Sequence, residues 1–345
     1  LKKIEKVKIG VIGAGHLGRC HIQQLRLIPQ AELIGFFDTD PNRSTEIEEE
    51  FNIPSFPNFE KLLKNVGAIS IVTPTQTHFD YAKQAIEEKK HLFIEKPITA
   101  TVEQGNKIVE LCSTKKTKLQ VGHIERFNPA ILALEGFTIN PLFIESHRMS
   151  NFNPRGTDVP VVLDLMIHDI DLILSFIHSP VKSIDASGVS IISENEDIAN
   201  CRLNFENGAV ANVTASRIST RKMRKMRFFQ SNAYISVDFL EGNCEIYELT
   251  SVQNDTQREG ISFTYGKIGE GTNAKEIRYR RYEKKDINPL NYELTLFLKS
   301  IIDNTEPVVG GKEAVRALKV ADAILKNIAA HAQLVKEKWR DYNGH

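Results

Sequence analysis

The chain has 345 residues, and its 44 Lys+Arg balance its 44 Asp+Glu. With that length and 41% hydrophobic residues it can bury a core without disulfide or metal, which excludes collagen-like, disordered and miniprotein classes. Zero net charge removes the long-range field that draws a generic nucleic-acid or anionic-membrane binder to its partner, so neither is expected.

At the start of the chain, Lys2, Lys3, Lys6 and Lys8 surround or precede apolar Ile9 to Ile12, as in a signal peptide. Gly13 ends the run, however, and His16 and Arg19 follow with no small-residue cleavage site. No stretch of about eighteen apolar residues occurs, so no membrane span is expected. Cys20, Cys112, Cys201 and Cys244 form no C-x-x-C pair and read as reduced thiols of a cytoplasmic protein. Neither they nor the histidines show metal-ligand spacing, and no metal is expected.

Up to residue 122, short apolar runs alternate with helical patterns. Strands are expected at Lys8–Ile12, Glu32–Phe37, Ile53–Phe56, Ala68–Val72, His91–Glu95 and Lys118–Gly122. Helices are expected between them, for example Phe79–Lys89 and Val102–Lys116. This alternation implies βαβ units and a doubly wound parallel sheet covered on both faces, a domain over residues 1–122. From residue 123 to 345 the rhythm differs. A strongly apolar helix, Val161–Ile177, precedes Val-, Ile-, Phe- and Thr-rich segments. Among these, Arg202–Phe205 and Ala209–Thr214 flank Glu206-Asn207-Gly208, a tight-turn signal. Further strands are expected at Arg227–Gln230, Tyr234–Phe239 and Cys244–Leu249, a flexible loop at Gly266–Asn273, and helices at Tyr292–Ile302 and Lys312–Ala330. This second domain reads as α+β with a mainly antiparallel sheet. The basic run Arg217–Arg227 lacks aromatic interleaving and reads as a solvated strand or loop.

Directly after the first strand stands Gly13-Ala14-Gly15-His16-Leu17-Gly18. In that context the first glycine turns the chain, the second lets backbone approach a pyrophosphate, and the third packs helix on strand, while the helix N-terminus offers donors to the anion. Asp38, closing the second strand, suits the ribose hydroxyls of NAD and repels the 2′-phosphate of NADP; neither Thr39 nor Asp40 supplies a compensating cation. NAD is the expected cofactor.

The other strand ends are Thr73-Pro74, Glu95-Lys96-Pro97 and Gly122-His123. Lys96 follows a buried strand and precedes a proline, an unusual place for a solvated charge, although most lysines are exposed. On the apolar helix, Asp164, His168, Asp171 and Ser175 form one polar stripe that faces either water or a polar cavity. An Asp four residues before a His can orient the imidazole and stabilise its protonated form, which is what a general base needs.

Gly122-His123-Ile124-Glu125-Arg126-Phe127-Asn128-Pro129, taken with the glycine motif, Glu95-Lys96-Pro97 and Asp164-x-x-x-His168, resembles the glucose-fructose oxidoreductase, inositol dehydrogenase and MocA (Gfo/Idh/MocA) family over nearly the whole chain. The resemblance implies an N-terminal Rossmann domain and a C-terminal α+β domain whose open sheet forms a homodimer or homotetramer interface. It implies that Lys96 is the active-site lysine, that Asp164 and His168 are its acid-base pair, and that Thr73, His78, Glu95 and Asn128 line the cofactor cleft. The strings Val121–Pro129 and Asp164–Asp171 are most similar to UDP-N-acetylglucosamine 3-dehydrogenases of that family. The expected activity is therefore oxidation of a secondary hydroxyl on a nucleotide-activated amino sugar at C3. A free sugar, an inositol or another cyclic alcohol as substrate, or a non-catalytic NAD/sugar sensor, are the alternatives. A sugar-linked diphosphate wants bidentate cations, and Arg148 and Arg155 are the candidates, with Arg217 behind them.

Overall fold

In the computed structural model, which describes residues 4–153, 159–251, 261–269, 274–284 and 286–343, the chain divides into two units, Leu1–Ile124 with Asn288–Leu318, and Glu125–Ile287 with Lys319–His345. The first unit is built on strands β1 (Val7–Ile12), β2 (Ala31–Phe37), β3 (Ala68–Ile71), β4 (His91–Glu95) and β5 (Leu119–Gly122). All four residues of β3 and of β5 are buried, as a sheet covered on both faces requires. Helices α1 (His16–Leu25), α2 (Pro41–Phe51), α3 (Phe59–Leu63), α4 (Thr75–Glu87) and α5 (Val102–Lys115) lie between the strands. The sheet is parallel, in the order β2-β1-β3-β4-β5, so its topological switch point lies between β1 and β3. Ligands of such sheets sit at that crevice, beyond the carboxyl ends of the strands.

The strand expected at Ile53–Phe56 is reduced to a single bridge, Ser55 to Phe36. Pro54 has no N–H with which to extend a ladder; its carbonyl accepts from Phe36 and packs against Gly35, where an added Cβ would lie 2.3 Å from it.

The second unit contains a π-helical turn, Val162–Met166, that runs into a regular helix, so the helix read at Val161–Ile177 is not α-helical throughout. Its short helix α6 (Pro129–Leu132) precedes that helix, α7 (Ile167–Phe176). Among the described residues of this unit are nine strands, the first before the π-turn and α7 and the rest after: β6 (Phe143–Met149), β7 (Val181–Val189), β8 (Ile198–Phe205), β9 (Val210–Ser216), β10 (Met223–Gln230), β11 (Ala233–Asp238), β12 (Asn243–Ser251), β13 (Ile261–Ile268) and β14 (Lys275–Glu283). They form one sheet in the order β13-β14-β12-β11-β10-β6-β9-β8-β7. All neighbours are antiparallel except β6 and β9, which makes the sheet mainly antiparallel, as the sequence suggests. The Asn207-Gly208 hairpin forms, with Gly208 at φ 87°. Gly266, read as loop, sits instead at a register irregularity inside β13; residues 270–273 of that loop lie outside the described residues.

After this sheet come α8 (Pro289–Ile302) and α9 (Gly311–Asn343). Leu294, Phe297 and Leu298 of α8 are fully buried in the first unit's core with Val11, Ile22, Phe36 and Phe93. The first unit is thus discontinuous in sequence, which changes the boundary expected after residue 122: α8 carries its apolar face back to the parallel sheet.

Candidate active site

In the first unit, the strand ends line a cavity of about 530 Å³ bounded by Gly13, Gly15, His16, Leu17, Asp38, Arg43, Thr73 and Tyr81, among others. The three motif glycines serve it differently. Gly13 has φ 83°, and an added Cβ would stand 2.6 Å from the Val72 carbonyl oxygen. At Gly18 it would stand 1.9 Å from the Gly13 carbonyl oxygen, so helix and turn touch there. At Gly15 nothing lies within 4 Å: the backbone opens on space. No side chain caps the N-terminus of α1, leaving its first N–H groups for an anion. A dinucleotide's pyrophosphate fits this set of donors.

Asp38 is fixed rather than mobile. Its Oδ2 accepts the Ala14 N–H at 2.7 Å and its Oδ1 the Asp40 N–H at 2.9 Å, which ties the end of β2 to the glycine turn. Arg43, one turn into α2, lies 3.3 Å from Asp38 Oδ1. Sequence reading missed it, because the cation comes from five residues along and depends on Asp40 capping α2 ahead of Pro41.

His78 is buried and does not border the cavity. One ring nitrogen lies 2.8 Å from the Thr73 carbonyl oxygen and the other 3.0 Å from that of Pro97, so it braces two strand-end loops. Burial lowers its pKa from the usual imidazole value, while both carbonyls pull the other way. Thr73 accepts the Thr77 hydroxyl at 2.8 Å. Lys96 is half-buried at the end of β4, ahead of a cis peptide bond to Pro97.

In the second unit, Asp164 lies in the π-helical turn and His168 at the start of α7, both half-buried. Single π-turns recur at functional sites, and this one sets the phase of both side chains. Of the polar stripe, Asp164, His168 and Ser175 are half-buried and Asp171 is buried. Asp171 is 1% exposed and bound in bidentate fashion by Arg126, at 2.6 and 2.7 Å. Asp169 is held in the same way by Arg148, at 2.8 and 3.0 Å.

That pairing corrects the expectation for Arg148. It is 2% exposed, and its remaining arm donates to Glu125 at 2.7 Å. Burial opposes its charge, but Asp169 and Glu125 raise its pKa. A guanidinium so committed fastens α7 to β6 and has no arm for a substrate diphosphate. Removing it would leave the buried Asp169 carboxylate without its ion-pair partner, a defect of roughly 3–5 kcal/mol. Asn128 is likewise committed: its Oδ1 caps α6 through the Ala130 N–H at 3.0 Å, and its amide donates to Glu125 and to the Phe239 carbonyl. It is a helix cap of the second unit, where the sequence suggested a cofactor contact. Arg155 lies outside the described residues. Arg217 is 5% exposed and donates to the Val159 carbonyl, while Arg224, Lys225 and Arg227 of the basic run meet Glu125, Asp238 and Glu145.

Comparison with known proteins agrees with this geometry. Residues 7–123 match the family model described as "Oxidoreductase family, NAD-binding Rossmann fold", and residues 141–236 match the GFO/IDH/MocA C-terminal domain. A UDP-N-acetylglucosamine 3-dehydrogenase of Acidithiobacillus ferrooxidans is 40% identical over 243 residues, 70% of this chain and 77% of that protein. The solved structure of a UDP-N-acetylglucosamine 3-dehydrogenase from the same organism superposes with a TM-score of 0.82 at 32% identity, covering 94% of this chain and 98% of the other. A myo-inositol 2-dehydrogenase of Thermotoga maritima is 24% identical over 342 residues, 93% of this chain and 96% of that protein.

Proposed function

This chain belongs to the Gfo/Idh/MocA family of NAD-binding oxidoreductases, and from that premise we propose that it oxidises a secondary hydroxyl of a sugar, with UDP-N-acetylglucosamine at C3 as the substrate. The observation that carries this reading is the 40% identity to a UDP-N-acetylglucosamine 3-dehydrogenase, against 24% to the inositol dehydrogenase. Four free cysteines suit the reducing cytoplasm.

Each residue has a distinct part. Gly15 and the N-terminus of α1 hold the cofactor's pyrophosphate, and Asp38 accepts from its adenosine ribose. His16, Leu17 and Thr73 border the same cavity. Bound NAD supplies the hydride acceptor. The alcohol loses a proton as its C–H hydride leaves, so the oxygen gains negative charge; Lys96 hydrogen-bonds that oxygen and stabilises the charge. His168 takes the proton, and Asp164 orients its ring and supports the imidazolium. Arg155 is the remaining candidate for the diphosphate.

The test is a panel of UDP-N-acetylglucosamine, myo-inositol and glucose, each incubated with NAD and wild-type, Lys96→Met or His168→Ala protein. Wild type should form NADH fastest with the nucleotide sugar. Each variant should lose about 10²–10³ in kcat, with NAD affinity preserved. Near-normal turnover in both variants, or turnover confined to inositol or glucose, would refute the reading.

A further inference from the structure

Beside Lys96 lies a buried polar network for which the proposed reaction has no use. His21, on α1, is 0% exposed. Its Nδ1 lies 2.9 Å from Ser70 Oγ on β3, and its Nε2 lies 3.0 Å from Glu95 Oε1 at the end of β4. Glu95 Oε2 accepts the Lys96 backbone N–H at 3.2 Å. Room for this carboxylate comes from β5, where a Cβ on Gly122 would stand 2.9 Å from its carbon and both oxygens. Phe93 packs its ring edge-on against the imidazole, centroids 5.3 Å apart.

A Ser, a His and a carboxylate in sequence suggest a hydrolytic triad, but Ser70 is 0% exposed and no substrate can reach its hydroxyl. Nor is stability a sufficient reason for the network. A buried polar pair often gives no more stability than well-packed apolar side chains of similar volume, so its value is sought in the geometry it fixes. That geometry ends at Lys96. Nε2 of the ring faces the carboxylate and Nδ1 the Ser70 hydroxyl, and the carboxylate, so held, accepts the N–H of the peptide from which the lysine projects.

We propose that His21 is a positioning residue for Lys96: it pins Glu95, which fixes the Lys96 peptide and stands as an immobile negative charge beside the lysine. This rests on the part given above to Lys96. Burial pushes the Glu95 carboxyl upward, but the His21 hydrogen bond and charge, with Lys96, bring it below the usual carboxylate range. The charged or titratable groups facing Glu95 within the first unit are His21 from α1, Lys96 next in the chain and His78 from α4, which feels its charge; Ser70 completes the network from β3.

The experiment uses H21L, H21Q, E95Q, the H21L/E95Q double variant and K96M in the full chain, with kcat, KM, NAD affinity, pH profile and thermal midpoint measured for each. Without His21 the upward push of burial is opposed by Lys96 alone, so Glu95 protonates at higher pH. H21L should therefore lose about tenfold or more in kcat, keep its NAD affinity, and show the acid limb of its kcat profile displaced to higher pH. H21Q, which retains a donor, should recover most of the loss, and H21L/E95Q should be no slower than E95Q. The proposal is overturned if H21L matches wild type in rate and profile. It is also overturned if H21Q fails to rescue, if the losses add in the double variant, or if they merely follow thermal midpoint and NAD affinity. K96M separates the two levels: if it turns over normally, the part given to Lys96 falls and this inference with it; if K96M is inactive while H21L is normal, this inference falls alone.

Discussion

At the scale of single residues, one motif contains two glycines that should fail in opposite ways. Gly15 has an ordinary φ of −64° and open space where a side chain would stand. Gly15→Val should therefore leave the thermal midpoint near wild type while weakening NAD binding by about tenfold or more, since the site loses its close backbone approach. Gly18→Ala should do the reverse first, losing roughly 1–3 kcal/mol of stability because its methyl overlaps the Gly13 carbonyl. Thermal unfolding and NAD titration on both variants check the contrast, and equal effects on both readouts would contradict it. These glycines, and Asp38, were legible in the sequence because their work is local. Arg43 and Arg148 were not. Each is defined by a carboxylate partner brought to it by folding, and a lone arginine in a sequence reads as surface.

At the scale of elements, five of the six strands expected before residue 123 lie close to their sequence positions because apolar runs mark them. The missed strand β6 shows the opposite case. Phe143–Met149 alternates burial perfectly, but its inward residues include Ser146 and Arg148, so polarity hid the period. The π-turn around Asp164 was equally hidden, since composition does not distinguish it from an α-turn. The open face of the nine-stranded sheet carries a register row of rings across six strands: Phe143, Phe229, Tyr234, Tyr247, Tyr279 and Phe263. Neighbouring ring centroids lie 4.8 to 5.7 Å apart. Phe229 is 37% and Phe263 50% exposed, a row that invites cover. The family resemblance implies a homodimer or homotetramer interface on this sheet, so a second copy of the chain is the expected cover. Tyr247→Asp, which sets a carboxylate in the row beside Glu245, should shift sedimentation from dimer to monomer without altering NAD affinity. A wild-type monomer, or a variant that stays dimeric, would contradict this.

At the scale of the whole molecule, neutral charge, two compact units and a cofactor-shaped cavity at a switch point are consistent with a dehydrogenase of small polar molecules. Among the described residues no helix is long and apolar enough to cross a membrane. The fold class was legible because hydrophobic period is a property of long segments. The return of α8 to the first unit was not, since the same apolar face could cover either sheet. The identity of the substrate is the claim on which the rest depends, and following the hydride tests it most directly. With UDP-N-acetylglucosamine deuterated at C3 and unlabelled NAD, deuterium should pass to the reduced nicotinamide and be lost from the sugar product, as read by mass spectrometry. Label retained in the sugar, or no reduced nicotinamide at all, would contradict the account.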